Sequence, residues 1–205
     1  MNDLDFAALL VSRLCHDLVS PIGAVVNGLE VLEDERDAPM RADAMKLVVS
    51  SAEQAAARLQ FARIAFGAAG SAGAQLDLTE VGRIVGGLFG GGKVHLDWQA
   101  APLNWPKDWA KLLMNAALLA ADSLPRGGRV VVTTTADASA PGFTIRATGQ
   151  GARVLEEVEK AARGEPKGPL DGRSIQPYLA HKLARTLNAG LTLTSRDNEV
   201  ELAAG

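Results

Sequence analysis

The chain has 205 residues, of which 47% are hydrophobic and 22% charged, and its formal net charge is −3. This length and composition fit one large soluble domain or two small ones. The slightly acidic balance and the scattered Lys and Arg residues argue against a dedicated nucleic-acid or anionic-membrane binder. Cys15 is the only cysteine, so an intramolecular disulfide and a cysteine-based zinc site are excluded.

The N-terminal residues and the apolar runs favour a cytoplasmic protein. Residues 1–5 are acidic, whereas the first residues of a secretory signal peptide are basic. No unbroken run approaches the roughly 18 apolar residues that a membrane span needs. We therefore expect a cytoplasmic location and no membrane partner.

Apolar residues recur at spacings of three and four from residue 3 to about residue 34, which predicts one long helix. Pro21 lies inside this pattern and is expected to kink the helix, because proline has no backbone donor. The members of the apolar stripe are Leu4, Ala7, Val11, Leu14, Leu18, Ile22, Val25, Leu29 and Leu32.

A second helix is predicted from about residue 39 to residue 67. Asp37 or Ala38 is expected at its cap, and Pro39 suits its first turn. Two long helices joined by a short turn form an antiparallel hairpin, which cannot bury both apolar faces by itself. We therefore expect a homodimer in which two hairpins pair into a four-helix bundle.

Residues 67–74 contain only Gly, Ala and Ser and are predicted to link two domains, 1–68 and 75–205. Strands joined by hairpins and lying beside helices predict an α+β sandwich, with helices on one face of a mixed sheet. Helices are predicted at about 79–89 (capped by Thr79), 106–124, 152–163 and 175–187. Strands are predicted at 94–98, 129–135, 142–147, 191–195 and 199–203.

His16 is predicted to face solvent on the flank of the first helix. At about 100° per residue, Leu14 and Leu18 lie about 160° from it around the axis, and Val25 lies opposite. A neutral imidazole is a competent nucleophile near neutral pH, and Asp17 can hold the proton of the other ring nitrogen. From spacing alone, an ordinary surface histidine beside an ordinary acid stays open as an alternative. The small or polar residues near its stripe are Ser12, Arg13, Ser20, Gly23 and Asn27.

Residues 13–22 read RLCHDLVSPI and resemble the H-box of sensor histidine kinases. The shared pattern is a histidine, an acid, an apolar residue, then proline and an aliphatic residue. The order and length of the kinked helix, hairpin, linker and α+β domain also resemble the dimerisation and ATP-binding domains of that family. The resemblance covers nearly the whole chain, and it implies a dimeric four-helix bundle followed by a degenerate histidine-kinase-type (GHKL, Bergerat-like) sandwich.

The predicted nucleotide pocket departs from that family's pattern. Asn115 resembles the N-box asparagine that helps hold Mg²⁺, and Gly149 and Gly151 resemble the end of the Asp-x-Gly-x-Gly box. Ala147 stands where that box has the aspartate that accepts a hydrogen bond from adenine, and an unsatisfied buried donor costs roughly 1–3 kcal/mol. Residues 172–177 replace the second glycine box, which removes the backbone cradle for phosphates. We expect a vestigial pocket without productive ATP binding, no intrinsic cofactor and no metal site.

This combination resembles the ChpT-type histidine phosphotransferases, which keep the kinase-like dimer but have lost ATP binding. The resemblance implies an enzyme that shuttles a phosphoryl group between aspartates of receiver domains through His16, with Asp17 orienting the ring. The partners would be the receivers of a hybrid histidine kinase and of response regulators in a bacterial cell-cycle phosphorelay. Each receiver would bring its own Mg²⁺ and would dock on Ser12, Arg13, Ser20, Gly23 and Asn27.

Two alternatives stay open at this point. An ATP-dependent histidine kinase with a divergent pocket would autophosphorylate from ATP. A non-catalytic dimeric adaptor would bind response regulators without ever carrying a phosphoryl group.

Overall fold

The N-terminal part of the chain is an antiparallel hairpin of two helices, α1 (Asp3–Asp34) and α2 (Ala38–Ala65), in a computed structural model that describes residues 1–67 and 73–205. The predicted cap of α2 is confirmed, because the Asp37 side chain accepts a hydrogen bond from the backbone N–H of Met40 at 3.2 Å. Pro39 lies in the first turn, where its missing N–H removes no helical hydrogen bond. Most of the predicted linker, residues 68–72, lies outside the described residues.

The apolar face of the hairpin is largely uncovered in a single chain. In α1, Pro21 and Gly28 are the buried residues. Gly28 packs directly against α2, because a Cβ there would overlap the Val48 side chain. The large apolar side chains exposed on the two helices are Leu4, Val11, Val19, Ile22, Val26, Leu29, Val31, Met40, Met45, Leu47, Val49 and Leu59.

By length and composition, α1 is also apolar enough to cross a membrane. An 18-residue window of it has a mean hydropathy of 1.4. Polar residues such as His16 interrupt the stretch, so it contains no unbroken apolar run of that length. A bundle helix whose apolar face is covered by a partner meets the same criteria of length and hydropathy. The packing of α1 against α2 and the presence of Arg13 and Asp17 favour that explanation.

The second part of the chain is an α+β sandwich, as predicted. In chain order its strands are β1 (Gln75–Asp77), β2 (Val94–Gln99), β3 (Asn104–Pro106), β4 (Gly128–Thr134), β5 (Phe143–Thr148), β6 (Thr192–Arg196) and β7 (Glu199–Ala204). The main sheet has the strand order β2-β4-β5-β7-β6; β2 and β4 are parallel, and the other neighbours are antiparallel. The two-stranded antiparallel sheet formed by β1 and β3 was not predicted.

The helices of the sandwich correspond to the four predicted ones, with two corrections. Asp77, not Thr79, caps the first of them, because its carboxylate accepts a hydrogen bond from the N–H of Thr79 at 2.8 Å. The third helix begins at Glu156 instead of near 152, because residues before it form loop hydrogen bonds, such as the one from the N–H of Arg153 to the carbonyl of Ser123. The four are α3 (Leu78–Phe89), α4 (Lys107–Asp122), α5 (Glu156–Ala162) and α6 (Ile175–Thr186).

The C-terminal end of α2 is part of the sandwich core. Phe61, Ile64 and Ala65 are buried in the same apolar cluster as the residues of α3, α4 and the main sheet. Burial of large apolar side chains is the main stabilising contribution to such a contact. The hairpin and the sandwich therefore pack together through the end of α2. The sequence predicted a domain boundary after residue 68 but did not predict this shared core.

Candidate functional site

The predicted nucleophile, His16, stands open on α1 with 85% of its side chain exposed. Its Nδ1 lies 3.3 Å from a carboxylate oxygen of Asp17. A carboxylate can only accept a hydrogen bond, so the tautomer that makes this contact carries its proton on Nδ1. The lone pair of Nε2 is then free, and Nε2 has no hydrogen-bond partner within residues 1–67 and 73–205.

The face of α1 that the sequence places beside His16 carries small and polar residues, and the apolar side chain of Val19 is exposed there as well. Ser12, Ser20 and Asn27 are exposed on α1, and Gly23 is half-buried. A Cβ built at Gly23 would meet no atom within 4 Å. This part of α1 leaves room for the surface of another protein beside the imidazole.

Pro21 frees the carbonyl of Asp17, one residue after the histidine. In an α-helix the N–H of residue 21 would donate to the carbonyl of residue 17, and proline has no N–H. Arg58 of α2 supplies the missing donor, since its Nη1 donates to the Asp17 carbonyl at 3.0 Å. The helix continues through Pro21. The proline therefore leaves the Asp17 carbonyl without its helical donor, and Arg58 of α2 binds that carbonyl beside His16.

Arg13 does not lie on the open docking surface, which corrects the sequence-based placement. Its side chain is only 15% exposed and turns toward the sandwich. Nε donates to Asp17 at 2.9 Å, Nη1 donates to the carbonyl of Gly172 at 3.2 Å, and Nη2 donates to Asp122 at 3.4 Å. A guanidinium carries several N–H donors in one plane, so Arg13 can bind all three acceptors at once. Burial lowers the pKa of Arg13, but Asp17 and Asp122 more than offset this, so its pKa is raised.

Asp122, at the end of α4, is a site residue that the sequence analysis missed. Its side chain is 48% exposed, yet the protein atoms around the carboxyl raise its pKa above the ordinary value, although the nearby Arg13 acts in the opposite direction. Arg13 and Asp122 are 109 residues apart in the chain. Local patterns carry no information about a contact over that separation, so no motif could have identified this acid.

The predicted N-box residue, Asn115, is fully buried and bound within the protein. Its amide nitrogen donates to the carbonyls of Ala65 at 3.1 Å and Lys111 at 2.9 Å. Its side-chain oxygen accepts from the Nε2 of Gln176 at 3.0 Å, and its backbone carbonyl accepts from the same nitrogen at 2.8 Å. Gln176 belongs to the segment 172–177 that replaces the second glycine box. The amide that would face a nucleotide-bound metal is thus occupied by the protein itself.

The other predicted pocket residues also contact protein. Ala147 is fully buried in β5, paired with Val130 of β4 and Val200 of β7. The N–H of Gly149 donates to the carbonyl of Asn198 at 3.1 Å, and the N–H of Gly151 donates to the Asn198 side chain at 2.7 Å. Gly151 has φ +74°, a conformation that favours glycine. The turn of the last hairpin therefore holds both glycines.

Within residues 1–67 and 73–205, no group of three or more His, Cys, Asp or Glu side chains is placed to hold a metal ion.

Comparison with known proteins gives a consistent result. A family model described as the histidine phosphotransferase C-terminal domain matches residues 78–199. The chain is 39% identical over 205 residues to the protein phosphotransferase ChpT of Brucella abortus (strain 2308), covering 100% of this chain and 97% of that protein. A solved bacterial phosphotransferase has a TM-score of 0.90 at 38% identity, covering 100% of this chain and 98% of the other.

A histidine kinase shares the fold at greater distance. The kinase domain of the blue-light activated histidine kinase EL346 from Erythrobacter litoralis has a TM-score of 0.50 at 16% identity, over 89% of this chain and 94% of that one.

Proposed function

The chain belongs to the family of ChpT-type histidine phosphotransferases, and we propose that His16 carries the phosphoryl group between receiver domains. The observation that supports this most directly is the open imidazole, 85% exposed, with Nδ1 beside Asp17. A ring held in this way presents Nε2 to a visiting partner. The phosphotransferase activity follows from the family, whereas the residue that performs it is our proposal.

In the proposed reaction, the lone pair of Nε2 attacks the phosphorus of an aspartyl phosphate on a docked receiver. The N–P bond forms, the P–O bond to the receiver's aspartate breaks, and its electron pair leaves on the carboxylate. The ring becomes positively charged, and Asp17 stabilises it through the Nδ1 proton. Transfer to a second receiver is the same exchange in reverse.

Little more than positioning and charge neutralisation is needed for such a transfer. In our proposal the Mg²⁺ that neutralises the phosphoryl oxygens comes with the receiver, and the protein binds no cofactor of its own. The receivers dock over His16 and the surface of Ser12, Ser20, Gly23 and Asn27.

The proposed reaction uses no ATP. The side-chain oxygen of Asn115 accepts a hydrogen bond from Gln176, and Ala147 offers no acceptor for an adenine amino group. Binding a nucleotide would require Asn115 to exchange buried internal hydrogen bonds for new ones, at a cost of about 1–3 kcal/mol for each group left unpaired. This argues for a phosphotransferase over a kinase with a divergent pocket.

We further propose that the protein is a homodimer in the cytoplasm. The exposed apolar side chains of α1 and α2 are covered when two hairpins pair into a four-helix bundle. The donor in this proposal is the receiver of a hybrid histidine kinase, and the acceptors are response regulators of a cell-cycle phosphorelay.

The test uses the purified protein, a labelled phosphorylated receiver and Mg²⁺. His181 of α6 stacks on Tyr178 with ring centroids 6.0 Å apart and serves as the control histidine. We expect label on the wild-type protein and on His181→Ala, and none on His16→Ala. Labelled ATP and Mg²⁺ without a receiver should give no label. Labelling by ATP alone would favour the kinase, and receiver binding without any phosphoryl transfer would favour the adaptor.

A further inference from the structure

Arg13 is the polar connection between the histidine helix and the sandwich. On α1 its guanidinium binds the carboxylate of Asp17 at 2.9 Å. On the sandwich it binds the carbonyl of Gly172 and the carboxylate of Asp122. A continuous chain of contacts therefore runs from Asp122 through Arg13 and Asp17 to the ring of His16.

The Arg13–Asp122 contact lies between two cavities. One cavity of about 190 Å³ is lined by both residues together with Leu119, Val154 and Pro177. A second, also of about 190 Å³, is lined by both residues together with Asp17, Arg58 and Leu118. Open space therefore borders the ion pair, and the hydrogen bonds to Asp17, Gly172 and Asp122 hold the guanidinium in its observed position.

A second contact between α1 and the sandwich lies near the start of α1. Phe6 packs edge-on against Tyr178 of α6 with ring centroids 6.2 Å apart, and the Lys182 ammonium lies 4.9 Å from the Phe6 ring centre. This contact attaches the helix to α6 but does not reach Asp17. The orientation of the acid beside the histidine depends on Arg13.

We propose that the sandwich domain takes part in phosphoryl transfer, because Asp122 positions Arg13, which in turn orients Asp17 against Nδ1 of His16. This inference rests on the proposed function of His16 and gives the degenerate domain a role in the chemistry. Asp122 is a positioning residue: it touches neither the ring nor the phosphoryl group. Its side chain is 48% exposed, and the neighbouring guanidinium of Arg13 favours the charged form that this contact needs.

Removing the Asp122 charge leaves Arg13 with one carboxylate and one carbonyl. The guanidinium can then turn into either cavity, and Asp17 gains access to rotamers in which it no longer faces Nδ1. Small errors in the placement of catalytic groups lower rates strongly, while the bound pair itself contributes little stability. The expected signature is a slower transfer step in a normally folded protein.

The experiment measures transfer from a phosphorylated receiver to the full-length protein and separates kcat from KM. Asp122→Asn keeps the shape of the side chain, and we expect it to lower kcat by about 3- to 10-fold with KM for the receiver unchanged. Asp122→Glu restores the charge and should recover part of the rate. Asp97→Asn is the matched control, because Asp97 pairs with Arg129 on the sheet, away from His16, and it should transfer like wild type.

A double-mutant cycle distinguishes positioning from a general structural effect. If Asp122 acts through Asp17, the Asp122→Asn substitution should have no further effect on kcat in an Asp17→Asn background. Independent, multiplicative losses would overturn the proposal, as would a rise in KM alone, which would place Asp122 in receiver docking. Failure of wild type to transfer through His16 overturns the proposed function itself. Wild-type transfer with an unaffected Asp122→Asn variant overturns only this inference.

Discussion

The surface around His16 and the region around Asn115 in the sandwich differ in how their polar groups are used. His16 is 85% exposed and leaves Nε2 free, whereas Asn115 is fully buried with both ends of its amide bound by protein. The imidazole of His16 is therefore free to meet a partner in the proposed function, whereas the amide of Asn115 is occupied by the protein's own groups.

The largest effect expected from this contrast is a loss of activity without a loss of stability. His16→Ala should reduce transfer from a phosphorylated receiver by more than about 1,000-fold, because the nucleophile is gone. The free energy of unfolding should change by less than about 0.5 kcal/mol, since an exposed side chain is removed. Denaturant melts and transfer assays on the same preparation test this, and a large loss of stability would show that the ring has a structural role.

The converse effect, a loss of stability, is expected around the buried Asn115. Asn115→Ala should lower the free energy of unfolding by about 2–4 kcal/mol, because it removes buried hydrogen bonds and leaves Gln176 without its side-chain partner. Asn27→Ala removes the same amide from the exposed face of α1 and should change stability by less than about 0.5 kcal/mol. Equal effects of the two substitutions in urea melts would show that the pocket is not held by its amide network.

A smaller effect is expected where Arg58 replaces the donor that Pro21 lacks. Arg58→Ala should cost about 1–2 kcal/mol, because the Asp17 carbonyl loses its bound donor. In a Pro21→Ala background, the new N–H can donate to that carbonyl, and the cost should fall by about 1 kcal/mol. Arg63→Ala, on the exposed side of the same helix, serves as the control. Strict additivity of Pro21→Ala and Arg58→Ala in urea melts would contradict this account of the proline.

Much of the fold could be predicted because its signals are local. A few neighbouring residues are enough to predict each of three features. These are the apolar spacing of α1, the start of α2 at Asp37–Pro39 and the hairpin turn at Asp197–Asn198. The open position of His16 followed from helical angles alone. The sheet of β1 and β3 was missed because strands of three residues show no periodicity.

The interior of the site could not be predicted, because it depends on contacts between distant segments. Gln176 meets Asn115 across 61 residues, and Arg13 meets Asp122 across 109. A helical wheel placed Arg13 near the stripe of His16. It could not show that the guanidinium binds Gly172 and Asp122 of the sandwich. The same limit hid the packing of Phe61 and Ala65 into the core of the second domain.

The central claim is that Nε2 of His16 is the nucleophile while Asp17 holds Nδ1. Nitrogen and phosphorus NMR of protein labelled with ¹⁵N at histidine, phosphorylated by a receiver under Mg²⁺, identifies the modified atom directly. The account predicts one phosphoryl group per chain, on Nε2 of His16. A phosphoryl group on Nδ1, or on any other residue, would contradict it.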